Sequence, residues 1–564
     1  MSAPSLPRPL ELLALLAALI AGSLLLLDGG GGAESAFSVL LLAGGLLVAS
    51  LGVRAVAASL DRGGAVAAVA AVSIRELVRR RVLGLTLLLL FGGIALLRGL
   101  GGGGALLEAR LEGFLAYALA WVFLVLSLFT LLASTGSLCE EIESRRLHTV
   151  VVKPIGRFRL LAGKWLGVAL IDAVLLGAAA GAIDLSVERA LRGADEGGRS
   201  WRATHRSVRP EFPERFLAES RSRAEERRAN DPGLWRALLI ERGGDEEAAL
   251  LDLQRQAYRE LLARWATIPV GERRRYEFSI PEREAGPVVL VLAPHLDRAH
   301  AADRQRFDVR SGGEVRPVFL GGGESTRLEL PTRAVEEGRL VVEIENAVQG
   351  RPGYGATFTG EDRLSIEVPT GSFRANLARA CTVLAVQLSF VAALGVVSAT
   401  FLGLPVAMLL VLLVLLAASL GGGLLDLEPE RARSPLDRAI AARNAPEEDH
   451  AHVHDHDHDH GHDHGHDHDH VSHGAATGAA GHDHDHSVKA SPVMDILDRS
   501  GRRLVSLLGA WGRAEPIDSV AKRREIPGAA VRGALLEIGA LWTGLVGLLG
   551  LIVFRRRELA RVQV

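Results

Sequence analysis

The densest group of metal-ligating side chains lies between His450 and His486, where histidine alternates with aspartate and glycine; 15 of the 19 histidines fall there. Imidazole suits Zn²⁺, Ni²⁺ and Cu²⁺, and the interleaved carboxylates add charge. The candidate ligands are His450, His452, His454, His456, His458, His460, His462, His464, His466, His468 and His470, followed by His482, His484 and His486. Two-residue spacing in a flexible chain gives many overlapping weak sites rather than one closed tetrahedral centre. Such binding weakens as pH falls through about 6.5, because a protonated imidazole cannot ligate. The stretch cannot build an apolar core and is expected to be disordered without a ligand. Two readings follow: metal capture at an exposed face, or a low-complexity repeat that binds metal incidentally.

A second chemical candidate is Asp172, which sits within a long apolar run; ionisable residues there are functional candidates by default. The competing reading is a polar contact inside a helix bundle. Glu537 and Arg532 fall near the start of the last apolar run, and Arg98 lies near the end of another, where it can snorkel. His205, His295 and His300 are isolated, and neither G-x-S-x-G nor H-E-x-x-H occurs. No G-x-x-x-x-G-K-[ST] occurs either. Gly163–Lys164 is followed by Trp165 inside an apolar run, and Gly101–Gly104 lacks the lysine. The chain is therefore expected to hold no nucleotide and to be no enzyme by itself.

These residues must be positioned by apolar helices. Of 564 residues, 48% are hydrophobic, and they gather at the two ends of the chain around a charged middle. A bilayer core needs about 20 mostly apolar residues per helical span. Eight runs qualify: Leu10–Leu27, Ala36–Val53, Val82–Leu100, Phe114–Leu138, Leu160–Leu185, Ala378–Ala399, Phe401–Leu420 and Ala534–Phe554. The first resembles a secretory signal but is long, lacks a small-residue cleavage site, and is read as a retained span. The net charge of −2 gives no reason to expect nucleic acid as a partner. The two cysteines, Cys139 and Cys381, imply no disulfide framework.

Basic residues set the expected orientation. Arg75, Arg79, Arg80 and Arg81 precede the third run; Arg145, Arg146, Lys153, Arg157, Arg159 and Lys164 fill the loop after the fourth; Arg555, Arg556, Arg557 and Arg561 follow the last. With these clusters in the cytoplasm, both termini are cytoplasmic and two large segments lie outside. The expected fold is a mostly α-helical polytopic membrane protein with an inserted exoplasmic α+β domain. Its divisions are 1–63, two extra N-terminal spans; 64–185, an entry helix, three core spans and a cytoplasmic loop; 186–376, the exoplasmic domain; 377–425, two further core spans; 426–527, an exoplasmic linker with the His/Asp tract; and 528–564, the last span and tail. Within 186–376 the front reads as helical. From about 267 the pattern shifts to short strands at Arg275–Ile280, Pro287–Leu292, Gln305–Val309, Val315–Leu320, Thr326–Leu330, Arg339–Ile344 and Arg363–Val368, which suggests a β-sandwich.

The most specific stretch is Cys139–Gly167, CEEIESRRLHTVVVKPIGRFRLLAGKWLG. Its acidic helix, then K-P-x-x-R, then G-K-x-x-G, resembles the cytoplasmic loop between the second and third core helices of ABC-2 type ABC transporter permeases. The residues that carry the likeness are Glu140, Glu141, Glu143, Arg145 and Arg146; then Lys153, Pro154 and Arg157; then Gly163, Lys164 and Gly167. Val72–Arg81, VSIRELVRRR, is similar to the amphipathic entry helix of these permeases, and Phe554–Leu559, FRRREL, to their C-terminal end. The resemblance covers the third to eighth runs as a six-helix core. It implies a permease subunit in the cytoplasmic membrane of a bacterium, a homodimer or heterodimer of permeases, and lipid contact. It also implies a separate ABC ATPase subunit that supplies ATP and Mg²⁺ and grips the charged loop. The large insert departs from the simplest members, so no substrate is inherited. The alternative is a membrane-anchored exoplasmic binding or scaffold protein with a metal-binding tract. A metal transporter that uses no ATP would want paired acids or histidines within the spans, which offer almost none.

Overall fold

The computed structural model describes residues 32–79, 81–100, 107–143, 156–192, 201–213, 215–280, 288–296, 304–331, 335–336, 338–347, 355–358, 363–426, 511 and 515–556. Residues 1–428 and 505–564 form one unit. The other, Pro429–Leu504, contains the His/Asp tract and lies outside the described residues, as does the run Leu10–Leu27.

The chain is mostly helical, with a distinct β-rich region. It opens with α1 (Gly32–Leu60), α2 (Ala65–Arg79), α3 (Arg81–Leu100), α4 (Leu107–Glu143) and α5 (Arg157–Leu191). After the β-rich region come α9 (Phe373–Ser398), α10 (Leu404–Asp426), α11 (Pro516–Ala521), α12 (Gly528–Ala534), a π-helical segment Leu535–Trp542, and α13 (Thr543–Arg556). Among the described residues, five helical segments are long and apolar enough to cross a membrane: Ser35–Leu60, Leu107–Glu140, Arg157–Leu191, Phe373–Ser398 and Gly528–Arg556. Ala65–Arg79 and Val82–Arg98 make a sixth if counted as one span bent by 74°. Leu404–Ala418 is apolar but shorter. Each expected run from the second to the eighth thus falls on a helix, and among the described residues five, or six with the bent pair, meet the length and apolarity needed.

Helical periodicity decides which side chains face inward. On α4, Leu115, Leu119, Val122, Leu126, Phe129 and Ala133 recur at spacings of three and four and are buried, whereas Leu124, Leu128 and Leu132 face outward. Outward leucines on helices this apolar suit a lipid solvent. Close approach of α2 to α5 is set by Gly163 and Gly167, four apart on one face of α5. A Cβ at Gly163 would stand 2.5 Å from the Val69 Cβ, and one at Gly167 3.0 Å from the Ala70 carbonyl oxygen. In the last apolar helix, Thr543 Oγ1 donates to the Ile538 carbonyl at 2.8 Å, five residues back, a reach that fits its π-helical turns.

The β-rich region begins with β1 (Ala203–Val208), a strand within the front part expected to be helical. Three helices follow, α6 (Arg215–Asn230), α7 (Pro232–Glu241) and α8 (Glu246–Ala266); Asp231 and Asp245 cap α7 and α8 by accepting from Leu234 N and Ala248 N. Then come β2 (Thr267–Ile268), β3 (Arg273–Ser279), β4 (Val288–Leu292), β5 (His295–Leu296), β6 (Gln305–Ser311), β7 (Glu314–Leu320), β8 (Thr326–Leu330), β9 (Val335–Glu336), β10 (Arg339–Asn346), β11 (Ala356–Thr357) and β12 (Leu364–Ser372). All seven expected strand runs fall on strands. Three antiparallel sheets form, in the orders β1-β12-β4-β8, β3-β10-β6-β7 with β9 beside β10, and β2-β11-β5. Alternation buries one face: Leu340, Val342 and Ile344 of β10 are inside, as are Val288, Leu290 and Leu292 of β4.

The first sheet fixes where this region joins the helices. Ala203 of β1 pairs with Ser372 of β12, so the chain enters and leaves through neighbouring strands. Phe373 N donates to Arg202 O at 2.9 Å, and Ser372 caps α9 by accepting from Ala375 N. The ring of Trp201 packs against Phe373 at 5.5 Å.

Candidate functional site

Three places could do chemistry or transmit force. The first is the end of the bundle carrying the charged loop. Glu140 is helical and exposed at the end of α4, and Glu141 and Glu143 continue that helix. Arg145, Arg146, Lys153 and Pro154 lie outside the described residues. Arg157 opens α5, and its Nη1 donates to Phe554 O at 2.7 Å and to Arg555 O at 3.0 Å, with the guanidinium 5.6 Å from the Phe554 ring. A cation on the terminal carbonyls of α13 satisfies acceptors that the helix leaves unbonded and opposes its dipole. Beneath it, Leu138 and Cys139 of α4, Leu160 and Leu161 of α5, Val396 of α9 and Phe554 of α13 form one apolar cluster. The helices that flank the charged loop are therefore packed directly on two others.

The second place is the seam between α4 and α5. Asp172 is 1% exposed. Its Oδ2 lies 2.8 Å from Thr130 Oγ1, which is itself 2.7 Å from the Leu126 carbonyl oxygen. Its Oδ1 is buried with no hydrogen-bond partner. Further along the seam, Lys164 is buried and donates to Ser137 O at 3.2 Å. No basic side chain pairs with Asp172 among the described residues.

The third place has no counterpart in the sequence reading. At the opposite end of α4, the β-rich region, α9 and the segment before α12 meet in a polar clasp. His205 of β1 donates its N–H to Arg523 O at 2.8 Å, and Glu525 N donates to His205 O at 2.8 Å. The side chain of Asn376 bridges the same segment: Nδ2 donates to Arg524 O at 2.7 Å and Oδ1 accepts from Ile526 N at 2.8 Å. Glu525 accepts from Arg206 at 2.8 Å and from Arg379 at 3.0 Å. Burial pushes the Glu525 carboxyl up, but the hydrogen bonds from Arg206 and Arg379 outweigh it and hold it below the ordinary glutamate value.

Arg523 is the centre of this clasp. Arg524 N donates to Ser519 O at 2.7 Å and Arg523 N to Val520 O at 3.1 Å, which closes α11 in a Schellman turn. Arg523 takes the left-handed position of that turn, with φ of 56°, where glycine is the usual occupant. The side chain explains the choice. It is buried, donates to Glu108 Oε1 at 3.3 Å and lies 5.4 Å from the Trp201 ring. Arg327 approaches the same acids, at 3.3 Å from Glu108, 3.6 Å from Glu112 and 3.5 Å from Glu367. His205 is buried beside these cations. Burial first, then the charges of Arg523 and Arg327, lower its imidazole to about 4, so it is neutral at physiological pH.

Residues within 426–527 are thus not linker throughout. Gln387 of α9 donates to Trp511 O at 3.2 Å, the Trp511 ring packs on Phe390 at 6.0 Å, and Val520, Ala521 and Ile526 are buried in the helical core. The histidines from His450 to His486 lie outside the described residues, and among the described residues no cluster of three or more His, Cys, Asp or Glu could hold a metal. His295 sits at an exposed position in β5, away from any such group. Compared with known protein families, curated proteins and solved structures, the chain shows no match.

Proposed function

We propose that this chain is the membrane-spanning permease subunit of an ATP-driven ABC transporter that moves an unidentified substrate across the cytoplasmic membrane. A separate ATPase partner grips the acidic helix end at Glu140–Glu143 and the basic residues beyond it. The reading places Glu140 and the chain termini in the cytoplasm. It places the β-rich region outside, where its paired sheets act as a β-sandwich that meets the substrate or a partner. The single observation that carries it is the convergence of four helices at the loop end. A push on the loop displaces α4 and α5 together, and through Leu160, Leu161, Cys139 and the Arg157 cap it also loads α9 and α13. Packed interiors transmit such strain because they have few voids.

The test is purification of the full chain in mild detergent with identification of co-purifying proteins; a chain bearing a Walker motif is expected. In the reconstituted pair, reversing charge at Glu141 and Arg145 together lowers substrate-stimulated ATP hydrolysis severalfold while the melting temperature holds. Unchanged coupling in that double variant removes the gripping role. If no ATPase is recovered, and labels place Arg145 on the same side as the β-rich region, the anchored binding-protein reading stands instead.

A further inference from the structure

The α4–α5 seam holds two short oxygen–oxygen contacts on one hydroxyl. Thr130 Oγ1 is 2.7 Å from Leu126 O and 2.8 Å from Asp172 Oδ2, both within the range of an O–H···O hydrogen bond. A threonine hydroxyl has a single hydrogen, while a backbone carbonyl and an ionised carboxylate only accept. One hydrogen shared between the two would leave both bonds weak and bent, so two full bonds need a second proton, and the aspartic acid is the group placed to supply it.

We propose that Asp172 is a proton-binding site: in this packing it holds its proton on Oδ2 and donates it to Thr130 Oγ1, while Thr130 donates to Leu126 O. The other carboxyl oxygen agrees. Oδ1 is buried and unpartnered, which is tolerable for the carbonyl oxygen of an acid and severely costly for a carboxylate. Among the described residues the surrounding charges supply no counter-ion. On the helices packed around α5, Arg54 of α1, Arg75 and Glu76 of α2, and Cys381 of α9 make no bond to Asp172; Arg75 is taken by Asp61. Lys164 lies eight residues away on α5, about 12 Å along the axis, and is spent on Ser137 O.

Releasing the proton needs water or a cation at the carboxylate, and so needs α4 and α5 to part. Proton occupancy and seam closure are then linked: the closed seam holds the proton more tightly, and loss of the proton favours the parted seam. This stands apart from the permease reading, since it needs only that α4 and α5 lie together in a bilayer.

The experiment is infrared spectroscopy of the full chain in lipid nanodiscs at neutral pH, as a difference between wild type and Asp172→Asn. A carboxylic-acid carbonyl band that shifts in deuterated water and is missing from Asp172→Asn is expected. In Thr130→Val the band moves to the frequency of a less strongly bonded acid. Raising the pH above 7 lowers the wild-type melting temperature relative to that of Asp172→Asn. A carboxylate band alone, a band that appears only with added sodium or potassium, or equal pH responses overturns the proposal. So does an Asp172→Asn chain that fails to fold, because the amide matches the acid in shape and can donate the same bond.

Discussion

The seam and the clasp lie along the same helix, α4, and treat charge in opposite ways. At the clasp, charge is dense and mostly paired: Glu525 has two arginines, Arg327 reaches three acids, and Asn376 meets two backbone groups with both ends of its amide, although His205 Nδ1, Trp201 Nε1 and Arg523 Nε are buried without a hydrogen-bond partner among the described residues. At the seam a single carboxyl meets a single hydroxyl. Removing one partner of a satisfied buried set exposes the cost of those left behind, whereas a solitary group survives by staying neutral. The clasp is therefore built to hold, and the seam to change state.

The sharpest way to break this contrast is Asn376→Ala. It strands the Arg524 carbonyl and the Ile526 amide in a buried place and should destabilise the chain by about 2–5 kcal/mol, read from denaturant or thermal unfolding in micelles. A loss under about 1 kcal/mol would mean that water replaces the amide and that the clasp is looser than its distances suggest. A somewhat smaller effect comes from acid. His205 has a folded value of about 4 against 6.5 when unconstrained, so the unfolded chain binds the extra proton between those values. Stability is whole above pH 6.5 and declines as pH falls towards 4, by about 3 kcal/mol. In His205→Gln that part of the acid response should vanish, leaving the loss below the glutamate range from Glu525, which needs its charge to hold Arg206 and Arg379. Matched melting curves across this window separate the two groups. The finest distinction lies at Arg523. Arg523→Ala loses the guanidinium and keeps the left-handed strain, while Arg523→Gly loses the guanidinium and relieves it. The glycine variant should be the more stable of the two by about 1 kcal/mol. Equal stabilities would show that neighbouring contacts, not the side chain, fix that turn.

Much of the fold could be read from periodicity, because spans and strands announce themselves locally. The strand runs from Arg275 to Val368 are short and β-rich, several of them separated by glycine or proline, and the apolar runs after Leu27 are long enough to name. Gly163 and Gly167 could also be read as a close-contact pair from their spacing. What failed was whatever depends on distant partners. β1 is six residues, ATHRSV, amid helical sequence, and its partner β12 lies some 160 residues later. Asp172 stood out, but nothing marks Thr130, 42 residues earlier, among the many hydroxyls of α4. The clasp gave no cue that could be used in advance: His205 looked isolated, and Asn376 and Arg523 are unremarkable letters. One clue was present and is only intelligible afterwards, since the turn after Val520 carries arginine where glycine would cost the backbone least.

The pairing of Ala203 with Ser372 has a consequence for how such a chain could be rebuilt. Because the inserted region departs from and returns to the bundle at adjacent points, its two stems form a narrow socket. A foreign module whose own ends lie close together could be grafted there without stretching α5 from α9. The bundle would then keep its internal packing while its β-rich region was exchanged, provided that the graft still offered a strand edge to Arg523 and Glu525.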